Sequence, residues 1–445
     1  MLPFKIDRWT LWPSEHDLAL MNIRRGKNRE TDMSLEEHIQ LTRRYLLKLG
    51  AAGATAWAAS PLSGNPQDRP ANLQKAIDQL ESWLTPAEDF RDVSRGRPIP
   101  HTLSEEERAK VGLTRDTWRL EVLGDPENPT LMKNPLTREK GTEFNFEDLM
   151  RLAETKAVRF AKVMTCLNIG CPLGTGIWEG VPLRELLWLT QPAADLRRVF
   201  YYGFHNDDPK QRFQSSLSAS RVLEDPFDLP PVILCYKLNG EWLSPERGGP
   251  VRVVVPEAYG FKSVKWLTTV MLTNLFHAND TYANGNNDVD SPLKTFSATL
   301  SHPDPLPTNE PFAMTGYAQV GVSGLDKVQV WLQPADREWP KDDPYFLTAP
   351  WIDAQILGPP KQWGGDIADG RIPADTLGFD EEGRPQDWPL QLAKVHWAVL
   401  HPEVPAGNYI LRSRTIDTKQ QPQPLPRPFQ KSGHSALERI RVSAT

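Results

Sequence analysis

The chain is 445 residues long, with 51 Lys+Arg against 57 Asp+Glu and a formal charge of -6, too long for a single hydrophobic core and too evenly charged to suggest a nucleic-acid partner. Its 41 prolines, 29 glycines and 15 tryptophans exclude a helical bundle and point to a strand- and loop-rich interior filled by large aromatics. Three cysteines are too few for a disulfide framework, and there is no C-x-x-C-H or repeated C-x-x-C for haem, zinc or an iron-sulfur cluster.

Residues 42–59, TRRYLLKLGAAGATAWAA, set Arg43 and Arg44 before an alanine-rich run that ends in the A-x-A of Ala56 and Ala58. The run is about 14 residues, short of the ~20 that span a bilayer. It reads as a twin-arginine export signal, with an amphipathic surface helix as the other reading. The expected location is the periplasm. Residues 1–59 form the extension and signal, and 60–84 a linker with one short helix around ANLQKAIDQLESWL.

From about residue 116, DTWRLEVLG alternates as a strand, and FNFEDLMRLAE reads as a helix with Asn145 as N-cap. AVRFAKVMTC is strand-like and ends on Cys166. GVPLRELLWL follows as a helix with Pro182 in its first turn and Leu183, Leu186 and Leu187 on one apolar face. PVILCYKLNGEWL is a hairpin turning at Asn239-Gly240, and RGGPVRVVVPEAYGFKSVKWLTTVMLTN gives two strands around a turn at Pro256 to Gly260. Beyond about 296 the pattern is all strand, in KVQVWLQ, KVHWAVL, NYILRSRTID and ERIRVSA, interrupted by a Pro/Asp/Gly-rich insertion near 335–390. The domains expected are a mixed α+β one over 85–295 and a β-sandwich over 296–445.

Two constellations can carry chemistry. Cys166 stands at a strand end beside Asn168, Gly170, Gly174 and Gly176, where a soft thiolate could ligate a transition metal; a buried structural thiol or a disulfide to Cys171 are the other readings. Arg95, Arg97, Arg221, Arg247, Arg252, Lys262 and Lys265 recur beside glycine turns, as a phosphate-bearing ligand requires, although any one of them alone reads as solvated surface. The chain lacks G-x-G-x-x-G and a Walker lysine, which disfavours NAD and ATP.

At these residues the sequence resembles the sulfite-oxidase-like molybdenum oxidoreductases over roughly 85–445. The cysteine followed by W-x-G-V-P-L (Trp178 to Leu183) is similar to the family's metal-ligand segment, and G-G-P-V-R-V-V-V-P-x-x-Y-G-F-K-S-V-K-W (248–266) to its pterin-binding stretch. The resemblance implies an α+β sulfite-oxidase-like molybdopterin-binding domain followed by an all-β immunoglobulin-like dimerisation sandwich. Cys166 would be the molybdenum ligand. Arg247, Arg252, Ser263, Val264 and Lys265 would contact molybdopterin, with His205 lining the pterin. Looser matches there are Gly203, Ser216, Ser218 and Arg221. Tyr236 would lie near the substrate oxygen. Arg95 and Gly96 fall where the family has R-N-H, one residue out of register, near cofactor and substrate.

The implied activity is oxygen-atom transfer to or from a small sulfur compound, most directly sulfite. Without a cytochrome b5-like or haem c segment in the sequence, electrons are expected to pass to a separate carrier such as a cytochrome c or a quinone-linked membrane protein. A homodimer is expected. The alternatives are a sulfoxide reductase of the methionine sulfoxide type and a non-catalytic binding protein retaining the fold.

Overall fold

The computed structural model describes residues 69–168, 171–205, 212–226, 228–424, 432–433 and 435–445. The twin-arginine segment lies outside the described residues. In chain order the described elements begin with α1 (Ala71–Asp78), α2 (Glu105–Lys110), β1 (Arg119–Gly124), β2 (Phe144–Asn145), α3 (Phe146–Lys156), β3 (Val158–Thr165) and β4 (Pro172–Pro182). They continue with α4 (Leu183–Thr190), β5 (Arg198–Gly203), β6 (Gln214–Ser218), α5 (Ala219–Leu223), β7 (Ile233–Leu238), β8 (Glu241–Trp242), β9 (Arg252–Val254) and β10 (Leu267–Thr273).

Local chemistry sets most of these boundaries. The Asn145 side chain accepts from Asp148 N–H at 2.9 Å while the Asp148 carboxylate accepts from Asn145 N–H at 3.0 Å, a reciprocal cap that starts α3. Asn239 and Gly240 take φ of 53° and 87°, the two left-handed positions that turn β7 into β8. Pro182 precedes α4 as its cap rather than sitting inside its first turn, and Leu183, Leu186 and Leu187 are buried as their spacing predicts. The second strand after Arg252 starts later than expected. Gly260–Lys262 form a 3₁₀ turn and β10 begins only at Leu267, because Trp266 adopts a φ of 53° that breaks the extended run.

Two sheets surround the site. One orders β2-β1-β10-β5-β6; in the other β3, β4, β7 and β8 are successive neighbours and β9 pairs with β7. Between them lies an apolar cluster that includes Trp118, Val163, Leu186, Tyr201, Val253 and Val270.

The C-terminal region is mostly β, with β11 (Phe296–Ser301), β12 (Phe312–Gln319), β13 (Lys327–Pro334), β14 (Ile352–Ile356), β15 (Thr376–Leu377), β16 (Lys394–His401), β17 (Gly407–Ile416) and β18 (Ile440–Ala444). β14 pairs with β13 through Ile352–Ala354 and with β16 through Gln355 and Ile356, so one short strand joins two halves of the sheet. Val328, Val330 and Leu411 from one half and Met314, Trp397 and Val399 from the other share a single core.

The described part of the linker, residues 69–84, and the insertion are more firmly built in than their composition suggests. α1 packs on β12 and β16 with Leu73 fully buried. Inside the insertion, β15 adds a parallel edge strand to β3, pairing Thr376 with Arg159 and Leu377 with Phe160. Trp363 packs edge-on against Trp83 at 5.0 Å, beside Ala161 and Ile177 of the catalytic sheet.

Candidate active site

β3 carries its buried Val163 and Met164 to Thr165, and Cys166 is the first residue past the strand. The pairing of β3 with β4 becomes irregular between Met164 and Thr165, so the chain leaves the sheet there with the thiol half-buried. Cys166, Cys171 and Cys235 are all free thiols, which removes the Cys166–Cys171 disulfide. Cys171 instead accepts a hydrogen bond at 3.3 Å from Arg91.

Cys166 opens into a cleft of about 120 Å³. Cys166, Arg95, His205, Arg247, Arg252, Ser263, Val264 and Lys265 all line it. Gly96 stands at its edge with φ 120°, where an added Cβ would lie 2.8 Å from Pro98 O and 2.9 Å from His205 O. Only glycine lets the Arg95 loop close on His205.

The cationic end is held in an unusual way. Arg252 is 4% exposed, lies over the Trp178 ring at 5.3 Å, and donates to the carbonyls of Arg247 at 2.9 Å and Ser263 at 2.5 Å. Its Nε has no partner, and no carboxylate among the described residues comes within ion-pair distance. Burial pushes its pKa down to about 10. Arg247 donates to Phe90 O at 2.6 Å and Arg91 O at 3.2 Å, and burial holds it below the ordinary arginine value. Lys265 reaches Asp92 at 2.8 Å, Ser94 at 2.9 Å and the Glu246 carbonyl at 2.5 Å; burial, reinforced by Arg252, pushes it down to about 8. The 3₁₀ turn Pro245–Arg247 ends on Gly248 at φ 96°, where a Cβ would meet the Lys265 side chain at 2.7 Å.

His205 is buried, with Nδ1 3.0 Å from Gly203 O and its ring edge-on to Trp266 at 5.9 Å; burial lowers its pKa. Gly203 passes so close to the Lys265 and Trp266 carbonyls that no side chain fits there.

This donor set fits an anionic, phosphorylated and sulfur-bearing cofactor. Arg252, buried and donating to backbone carbonyls, leaves positive charge that an anion would complete, beside Arg247 and Lys265, which also reach Glu246 and Asp92. A half-buried thiol lining the same cleft suits a soft metal.

Three expectations change. Tyr236 does not line this cleft: Cys235 pairs opposite Arg252, so the next residue along β7 faces the other way, where Tyr236 packs 5.9 Å from Trp242 and lines a different cavity. Arg221 is absorbed by a bidentate ion pair with Glu257, at 2.7 Å and 3.0 Å. Lys262 is buried and donates to the Ser216 carbonyl at 2.6 Å. The looser matches Ser216 and Ser218 are also engaged elsewhere, Ser216 donating to Asp280 at 2.8 Å and Ser218 capping α5.

The aromatic walls, Phe90, Phe213, Phe261, Trp266 and Tyr282, were mostly missed in the sequence, as was Asn168 as a lining residue. Only the turn-rich DTYANGNN around Tyr282 marks its segment as a loop. No residue of the insertion lines the cleft among the described residues.

Residues 108–280 match the family model described as oxidoreductase molybdopterin binding domain. The chain is similar to Nitrate reductase (NADPH) of Beauveria bassiana, 26% identical over 47% of this chain and 23% of that protein. It is also similar to Nitrate reductase (NADH) 1 of Phaseolus vulgaris, 26% identical over 57% of this chain and 31% of that protein. A stretch covering 25% of this chain and 14% of the relative is 32% identical to Nitrate reductase (NADH) of Volvox carteri. The chain thus spans less than a third of the length of these relatives. The crystal structure of the sulfane dehydrogenase SoxCD from Paracoccus pantotrophus shares the fold with a TM-score of 0.52 at 19% identity, covering 86% of this chain and 93% of that one. The matched span contains Cys166, His205, Arg247, Arg252 and Lys265, which places the cleft in a molybdopterin-binding oxidoreductase domain similar to those of the sulfite-oxidase-like enzymes.

Proposed function

We propose that the chain transfers an oxygen atom to or from a small oxyanion, a sulfur oxyanion such as sulfite first among them. Electrons are exchanged with a separate carrier such as a cytochrome c or a quinone-linked membrane protein, passing to it when the oxyanion is oxidised and coming from it when the oxyanion is reduced. The observation that carries this reading is the cleft itself, which joins the Cys166 thiol and Arg95 to the buried Arg247 and Arg252 and the half-buried Lys265. Arg95 is exposed and lies 4.8 Å over the Phe213 ring, so it remains available to a substrate anion.

Bound molybdenum-molybdopterin supplies two-electron exchange coupled to oxygen-atom transfer. Arg247, Arg252 and Lys265 would hold its anionic end, Ser263 and Val264 would line its pterin, and Cys166 would give the metal a thiolate. Arg95 draws in and orients the oxyanion. The aromatic walls exclude water around it.

The name sulfane dehydrogenase on the structural neighbour supports a sulfur substrate and an external electron carrier. The relatives named nitrate reductase favour nitrate as a second reading. The proposal extends to export through the twin-arginine segment at Arg43 and Arg44 and to a homodimer formed through the C-terminal region, read as immunoglobulin-like.

The test is protein matured in a cofactor-competent host, assayed for molybdenum and for turnover. Sulfite and thiosulfate are supplied with ferricyanide, and nitrate with a reduced viologen. Oxidation of a sulfur oxyanion is the expected result. Turnover of nitrate alone replaces the first reading by the second, and turnover of none of them overturns both.

A further inference from the structure

The cavity that Tyr236 lines has a volume of about 450 Å³, within the range of small-molecule sites. It shares a wall with the cofactor cleft. Pro245 lines the cavity while Arg247, two residues on, lines the cleft, and the indole of the cleft residue Trp266 donates to Pro245 O at 2.8 Å. Oxygen transfer in the cleft makes no use of this second space.

Its lining includes the buried Leu113 and Leu243 and three aromatic rings. Trp242 is the central ring, 5.9 Å from Tyr236 and 5.8 Å from Phe146. At 42% exposure it is not a core residue: it stands on the two-residue strand β8 opposite Lys237, whose ammonium lies 4.7 Å over its ring. The Tyr236 hydroxyl shares a hydrogen bond with the Glu179 carboxylate, itself paired with Arg159 at 2.7 Å, so that its proton is already engaged.

Two arginines complete the lining. Arg115 is exposed and lies 5.0 Å over the Trp242 ring, and Arg108 donates to Leu103 O at 2.6 Å. Neither has an ion-pair partner among the described residues. A guanidinium carries five N–H donors, so most of those on both remain for a ligand. The turn that carries Arg115 is fixed by the Thr114–Thr117 hydroxyl pair at 2.7 Å and by Trp118 N–H on Thr114 O at 2.9 Å, while Arg108 belongs to α2, whose Ser104–Glu107 capping box is complete. Both cations are thus held in place before anything binds. Glu105 and Asp116 line the same cavity. Set against Arg108, Arg115 and Lys237, these two acids leave one net positive charge, which a single carboxylate neutralises and a phosphate monoester overshoots.

We propose that this cavity binds a planar aromatic acid bearing one carboxylate, with its ring among Tyr236, Phe146 and Trp242 and its carboxylate on Arg108 and Arg115. Aromatic pairing and charge-assisted, bidentate hydrogen bonds are the two interactions such a lining provides. The site stands apart from the oxyanion reading above and does not rest on it.

The test uses the full, cofactor-loaded protein and 2-naphthoate as the probe, followed by titration calorimetry. 2-Naphthamide has the same shape without the charge, and 2-naphthyl phosphate is largely a dianion at neutral pH. Naphthoate is expected to bind with a Kd below about 1 mM, and the amide and the phosphate each about tenfold or more weakly. Arg115→Met alters an exposed side chain, so melting temperature and molybdenum content should match the parent. It should weaken naphthoate about 10- to 100-fold, as loss of a hydrogen bond between charged groups does, and leave the amide within about twofold. The amide affinity of this variant therefore reports that the cavity is intact. Trp242→Leu should weaken acid and amide alike, about 2- to 10-fold. Arg95→Met, in the cofactor cleft, should leave naphthoate affinity within about twofold.

A parent protein that binds no naphthoate, equal affinity for acid and amide, equal or tighter binding of the phosphate, unchanged affinity in Arg115→Met, or a loss in Arg95→Met instead would each overturn the proposal. Its outcome is separable from turnover. A protein that oxidises no sulfur oxyanion yet loses naphthoate through Arg115→Met has the site, and one that oxidises sulfite but binds no naphthoate lacks it.

Discussion

Replacing Arg252 by methionine separates what a buried cation does for the cofactor from what it does for the fold. The change keeps a long side chain over Trp178 but removes the donors to Arg247 O at 2.9 Å and Ser263 O at 2.5 Å. Two buried carbonyls left without donors cost about 1–3 kcal/mol each. Against this, the guanidinium is itself held at a cost, since burial lowers its pKa from 12.5 to about 10. At ~1.4 kcal/mol per pH unit that cost is about 3 kcal/mol at neutral pH, below both values, and it disappears with the charge.

The cofactor-free protein should therefore lose no more than about 3 kcal/mol. A charge-assisted hydrogen bond to the cofactor is worth about 1.5–3 kcal/mol, so cofactor retention should weaken about 10- to 150-fold. Molybdenum per chain after dialysis measures the second effect, and urea unfolding of the cofactor-free protein the first. A variant that keeps its full molybdenum, or one whose cofactor-free form no longer folds, would refute this division of roles.

Cys166→Ser should abolish turnover with the circular dichroism spectrum unchanged, while Cys171→Ser, whose thiol only accepts from Arg91, should retain most of the activity; equal loss in both contradicts the assignment. Burial lowers the Lys265 pKa to about 8, so the cationic form that an anion needs is depleted as pH rises through that value. Cofactor uptake by the cofactor-free protein should accordingly be weaker at pH 9 than at pH 7. The pH dependence should flatten in Lys265→Met, as reconstitution followed by molybdenum analysis would register. Trp83→Ala removes a side chain that is 2% exposed, donates to Lys394 O at 2.7 Å and packs on Trp363. Calorimetry should show a loss of about 3–5 kcal/mol, and a change under 1 kcal/mol would mean that the insertion is not anchored through this ring.

The cofactor half of the site was readable in the sequence because it is local. Residues 247–265 carry most of it on one short stretch, where turn chemistry and strand alternation fix which side chains converge. Cys166 was readable for the same reason, as the residue ending an apolar strand. The substrate half was not. Which face of β7 Tyr236 presents depends on its register against β9, and the β4–β7 pairing shifts between Glu179 and Gly180, so counting by twos along one strand cannot decide it. Tyr282 meets Cys166 only through tertiary packing across more than a hundred residues of chain. Arg221 and Lys262 carry the same charge as their neighbours in the sequence, and only the partners Glu257 and Ser216 remove them from the anion site.

The parallel pairing of β15 with β3 also bears on whether the halves of this protein can be taken apart. A chain stopped near residue 295 would retain every described residue that lines the cleft, yet it would bare the backbone edge of the strand that leads into Cys166 and strip Trp363 from Ala161 and Ile177. An unpaired edge of this kind invites association with other chains. The C-terminal half thus serves as a built-in sheath for the catalytic sheet, and swapping it for an unrelated module would require a new way to close that edge.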